Sequence, residues 1–141
     1  MIPRVVGAAL FSLSLLLPFA AFAATPAIET GEINGAKFTL ARPAQWNRSV
    51  LLLAHGFRST DRPLVAALFP EQLATKTLLD EGWLVATTSY RRNGPIVADA
   101  IADLDALRAH IAEKFGAPQR VLLEGDSMGG RPAAIPPLPF Y

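Results

Sequence analysis

The sequence contains no cysteine. That excludes disulfide support for the fold and a lipid anchor carried on cysteine. Histidine is scarce, with His55 and His110 the only two. Charge of either sign is also in short supply: 13 Lys and Arg stand against 12 Asp and Glu. No block of one sign is long enough to attract nucleic acid or an anionic membrane surface. No apolar run reaches the roughly 20 residues needed to cross a hydrocarbon core, so no stable membrane anchor is expected. Neither a metal nor a cofactor is expected.

The first residues read as an address. One cation, Arg4, precedes an apolar run from Val5 to Leu17, which Pro18 breaks. Ala21-Phe22-Ala23 then places small residues where a signal peptidase reads. This three-part pattern predicts a secretory signal peptide over 1–23, with export to the periplasm or the medium. Cleavage removes Arg4 alone among the charged residues, leaving 12 cations against 12 anions and a net charge of zero.

From residue 24 onward the pattern is that of an α/β domain. Ile28–Ile33 and Lys37–Leu40 are short strands around Asn34-Gly35, a pair that tolerates positive φ and predicts a hairpin. Ser49–Ala54 is a continuous apolar run, suited to a strand buried on both faces. A helix is expected over Glu71–Asp80, ended by Gly82, and a strand over Trp83–Thr88. Val97, Ile101, Leu104, Leu107, Ile111 and Phe115 recur at helical spacing and form one apolar stripe. Asp99, Asp103, His110 and Lys114 fall largely off it, so Asp99, Asp103 and Asp105 are expected on a solvated face, with His110 also in solvent. Arg120–Glu124 is the last strand. Strands alternating with helices predict a parallel sheet covered on its faces.

The chemistry lies in Gly125-Asp126-Ser127-Met128-Gly129. A G-x-S-x-G stretch directly after an apolar strand is the pattern of a nucleophile elbow, where a sharp turn presents a serine hydroxyl. Alone the motif is weak. Here a second strand end, Leu51-Leu52-Leu53-Ala54-His55-Gly56-Phe57, and a polar stretch after a third, Ser89-Tyr90-Arg91-Arg92-Asn93-Gly94, accompany it. With these three features the chain resembles the N-terminal half of a secreted bacterial α/β-hydrolase of the esterase, lipase and peptidase superfamily.

That resemblance implies a partial doubly wound α/β sheet over 24–130, ending just after the elbow. It implies that Ser127 is the nucleophile of an acyl-enzyme reaction on carboxylic esters or amides. The backbone N–H groups of Phe57 and Met128 would hold the oxyanion, and His55 would shape the oxyanion loop rather than act as base. Small esters or peptides would be the substrates. Arg91 and Arg92 follow a strand on the ligand side of the sheet and are candidates for substrate contact.

In this family the acid and the histidine follow the serine, and no histidine follows Ser127. The tail over 131–141 holds Pro132, Pro136, Pro137 and Pro139, which cannot continue a helix. A truncated or frameshifted product with little turnover, or a non-catalytic remnant, is therefore expected. The Val121–Glu124 strand would then be an apolar sheet edge open to self-association. A trypsin-like order, His55, Asp103, Ser127, is the remaining alternative. Met128 between Ser127 and the two glycines, together with the amphipathic helices, argues against it.

Overall fold

The computed structural model describes residues 25–129. The signal segment and the proline-rich tail expected from the sequence lie outside them.

Two strands open the domain, β1 (Ala27–Ile33) and β2 (Ala36–Arg42), paired antiparallel. The turn between them has Asn34 at φ 51° and Gly35 at φ 84°, as the Asn-Gly pair predicts. Both strands extend a residue or two beyond their sequence-predicted ends. Then follow β3 (Ser49–Ala54), α1 (Leu73–Asp80), β4 (Leu84–Thr88), α2 (Val97–Phe115) and β5 (Arg120–Gly125). A single 3-10 turn, Ser127–Gly129, comes after β5. The predicted helix over Glu71–Asp80 begins two residues late, at Leu73.

The sheet order is β1-β2-β4-β3-β5. β4, β3 and β5 run parallel, and β2 joins β4 antiparallel. The sheet is thus mixed, with a parallel centre that carries the alternating βα part of the chain. β5 is the margin strand among the described residues.

Alternation along β3 distributes its side chains to two cores. Val50, Leu52 and Ala54 face a larger core with Leu84, Ala86, Leu104, Leu107 and Ile111, under α2. Leu51 and Leu53 face a smaller core with Val85, Leu79 and Trp83, under α1. Helices on both faces give the doubly wound arrangement.

α2 has no side-chain cap at its N-terminal residue Ile96. A cap contributes about 1 kcal/mol, whereas full burial of each of Leu104, Leu107 and Ile111 contributes about 2 kcal/mol. Packing therefore decides the position of this helix. On the opposite face Leu122 of β5 is 50% exposed, because no described helix lies over that margin.

Two acidic and basic residues on α2 depart from the expected solvated face. Asp103 is buried, at 2% exposure. It lies three residues after Ala100 and four before Leu107, on the buried side of the helix. His110 is half-buried: its ring packs on Phe38 at 5.0 Å between centroids, and its Nε2 lies 3.6 Å from Glu29. Asp99 stays partly exposed and Asp105 pairs with Arg108. The mixed sheet, with helices on both faces, also removes the trypsin-like alternative, which requires β-barrels.

Candidate active site

The site forms where β3, β4 and β5 end together. These three strands are parallel, so their carboxyl ends open on one side of the sheet, where open α/β folds bind ligands. The ends are fastened: the Asp126 N–H donates to the Ala54 carbonyl at 3.1 Å.

Ser127 follows at φ 51°. A non-glycine residue rarely adopts this left-handed conformation. The turn is sharp enough to leave Ser127 exposed directly above the end of β5. Gly56 shows how closely the two loops approach. A Cβ placed there would stand 3.1 Å from both the Asp126 carbonyl oxygen and the Ser127 Cβ. Only a residue without a side chain fits without displacing the serine turn.

An open hollow of about 760 Å³ lies at this junction, lined by Phe57, Pro95, Val97, Ala98, Ser127 and Met128. Ser127, Phe57 and Met128 are thus brought together, as the sequence predicts. Pro95, just before α2, and Val97 and Ala98, at its start, complete the wall and were not foreseen. Ser127 supplies the hydroxyl, and no charged side chain lines the hollow.

His55 sits beneath this surface. Its Nδ1 lies 2.7 Å from the Gly56 carbonyl and its Nε2 3.2 Å from the Ser89 carbonyl. Both partners are acceptors, so a neutral ring donates to one only. The shorter contact assigns the proton to Nδ1. Burial holds the imidazole below its ordinary range, against the two carbonyls that favour the charged form. Both nitrogens face carbonyl oxygens of the loop and of Ser89, so neither is directed at Ser127.

Tyr90 lies under His55 and was not singled out by the sequence. Its side chain is fully buried, its ring is 4.2 Å from the His55 ring, and its hydroxyl donates to the His55 carbonyl at 3.1 Å. Burial pushes its phenol up to about 12. Like Ser127 it has positive φ, at 58°.

The two arginines, Arg91 and Arg92, are paired with carboxylates of α2. The Arg91 N–H donates to Asp103 Oδ2 at 2.8 Å and its Nε–H to Oδ1 at 2.9 Å. Asp103 in turn raises the Arg91 guanidinium above its ordinary value. Arg92 pairs with Asp99 through Nε at 2.6 Å. Neither lines the hollow. Carboxylates on the first turns of α2 pair with both guanidinium groups. Glu29, away from the site, is held below the usual carboxylate range by Lys114, with a smaller contribution from His110.

No protein-family model and no curated protein matches the chain. Solved structures do. An esterase of Pyrococcus furiosus is similar with a TM-score of 0.54 at 18% identity, over 77% of this chain and 46% of its own. An acylaminoacyl peptidase of Pyrococcus horikoshii is similar with a TM-score of 0.54 at 10% identity, over 78% and 20%. An arylesterase is similar with a TM-score of 0.50 at 14% identity, over 78% and 38%. The described part of the chain thus spans less than half the length of each. What these likenesses share is the fold.

Proposed function

We propose that this chain, which has the α/β-hydrolase fold, carries the nucleophile half of a serine hydrolase acting on carboxylic ester or amide bonds. The observation that carries the reading is Ser127, exposed at φ 51° on the turn after the parallel strand β5 and packed against Gly56. Strain of this kind persists where surrounding structure holds it, and it clusters at sites of chemistry.

In this reading the Ser127 Oγ attacks the substrate carbonyl carbon. The carbonyl π electrons move to oxygen, and the serine proton passes to a base. The N–H groups of Phe57 and Met128 receive the oxyanion. Each well-aimed donor contributes about 3 kcal/mol to the transition state. On collapse the carbonyl re-forms, the C–O or C–N bond breaks, the base returns its proton to the leaving alcohol or amine, and an acyl group remains on Ser127. The apolar walls from Phe57, Pro95, Val97, Ala98 and Met128 suit an uncharged acyl or alcohol group. The esterases and the peptidase among the similar structures support the reaction class.

Neither histidine of the sequence is placed as the base. His55 directs both ring nitrogens at carbonyls rather than at Ser127, and His110 lies against Phe38 and Glu29. Attack therefore depends on a base from outside residues 25–129, and the 141-residue chain alone is proposed to turn over little. Export by a signal peptide over 1–23 is likewise proposed, on the pattern of those residues.

Ester cleavage with added imidazole tests the reading. The small base stands in for the absent one, and p-nitrophenyl ester cleavage beyond imidazole's own rate is expected in the parent chain and lost in Ser127→Ala. Equal rates in the two proteins would refute it.

A second, compatible reading rests on β5. It is the margin strand among the described residues, with Leu122 50% exposed. An apolar margin of this kind favours pairing with another strand, and we propose self-association there. Sedimentation of parent and Leu122→Lys checks it: the parent is expected to associate and the variant to remain a monomer.

A further inference from the structure

We propose that Tyr90 is a positioning residue that fixes the direction of the Phe57 N–H by clamping the loop His55–Phe57 from below. The proposal rests on the reading of the Phe57 N–H as an oxyanion donor.

A peptide unit is planar, so holding its carbonyl holds the N–H on the opposite side. The Phe57 N–H shares its plane with the Gly56 carbonyl, and that carbonyl is the acceptor of His55 Nδ1 at 2.7 Å. The preceding plane carries the His55 carbonyl, which accepts from the Tyr90 hydroxyl at 3.1 Å. The ring that holds the first plane itself packs on the Tyr90 ring, tilted by 35° with 4.2 Å between centroids. Two consecutive peptide planes of the loop thus lead back to one buried side chain.

Tyr90 can do this because its own backbone is forced to φ 58°, which turns the ring inward beneath the loop. The neighbouring bonds enforce that conformation. The Tyr90 N–H donates to Thr88 Oγ1 at 3.2 Å, and the Ser89 hydroxyl donates to the Tyr90 carbonyl at 2.7 Å. Next to it the Arg91 N–H is tied to Asp103 on α2 at 2.8 Å. Ser89 also takes the Lys37 N–H at 3.0 Å and donates its own N–H to the Lys37 carbonyl at 2.8 Å. The brace is therefore mounted on β2 and α2 as well as on β4. Phe57 itself is 59% exposed, so its own side chain packs too little to hold the loop.

Backbone amide relaxation by NMR on the full chain tests this. In the parent, the Phe57 N–H is expected at a rigid order parameter of about 0.85 despite the exposure of the residue, and in Tyr90→Phe below about 0.6. The amides of Val50 to Leu53 are expected to remain rigid in both. A merely structural role for the hydroxyl would lower stability without this local change. A flexible Phe57 amide in the parent, or an equally rigid one in Tyr90→Phe, overturns the proposal. The parent measurement stands even if the variant fails to fold.

A second readout is Ser127 modification by a fluorophosphonate in the presence of imidazole. The maximal rate is expected to fall about tenfold in Tyr90→Phe with the probe's half-saturating concentration unchanged. An unchanged rate overturns the proposal. Where the parent itself is not modified, the serine reading fails and the order parameters still decide the clamp.

Discussion

Two turns of this molecule share one unusual backbone conformation and differ in everything that surrounds it. Tyr90 after β4 and Ser127 after β5 both have positive φ, at 58° and 51°. Tyr90 is fully buried, and bonds from Thr88, Ser89 and the Arg91–Asp103 pair surround its backbone. Ser127 is exposed, its turn fastened by the Asp126 bond to Ala54 and pressed against Gly56. The same strain does different work in the two places. At Tyr90 it turns a large side chain inward as a support, whereas at Ser127 it turns a small one outward.

Glycine at the two positions should separate them most widely. Tyr90→Gly relieves strain but removes a buried ring and hydroxyl, and a net loss of about 3–4 kcal/mol is expected in urea unfolding. Asp103→Ala attacks the anchor of the same turn. It removes a fully buried carboxylate from a guanidinium whose side chain is 36% exposed, so about 2–3 kcal/mol is expected, at or below the lower end for broken buried pairs. Unfolding midpoints measure it directly.

High pH probes the buried turn without mutation. The Tyr90 phenol is pushed up to about 12, against about 10 in the unfolded chain. Because the folded value is the higher one, its contribution is fully present below about pH 10 and lost as pH rises through about 12. Stability should fall by about 2 kcal/mol across that window, and Tyr90→Phe should remove most of this slope. The smallest effect has the opposite sign. Ser127→Gly relieves the exposed turn while losing little packing, and the unfolded chain's added freedom offsets part of the gain. A change between zero and about 1 kcal/mol of stabilisation is expected. A loss at Ser127 as large as that at Tyr90 would erase the distinction between the turns.

Most of this architecture is legible in the residues. The apolar run Ser49–Ala54, the Asn34-Gly35 turn pair and the helical-period stripe from Val97 to Phe115 each carry a local signal and coincide with β3, the hairpin and α2. The proximity of Ser127, Phe57 and Met128 was legible from the motifs at two strand ends. Tyr90 and its positive φ were not, because the residues on either side of it, Ser89 and Arg91, are tied to β2 and α2, which are far away in sequence. Nothing local to a tyrosine announces that conformation. Asp103 left a weak signal: a carboxylate between Ala100 and Leu107 on the buried side of a helix requires a cation, and Arg91 lies at the end of the adjoining strand. The pairing of Arg91 and Arg92 with Asp103 and Asp99 was not legible for the complementary reason: each partner lies on α2, seven or more residues away in sequence.

The central claim is that the exposed turn presents Ser127 as a nucleophile beside the Phe57 and Met128 amides. Mass-spectrometric mapping of a fluorophosphonate adduct, formed in imidazole on the folded chain, tests it most directly. The account predicts a single adduct on Ser127 whose yield rises with free imidazole and which is absent in Ser127→Ala. An unmodified Ser127 in a folded chain, or an adduct that persists in Ser127→Ala, would contradict it.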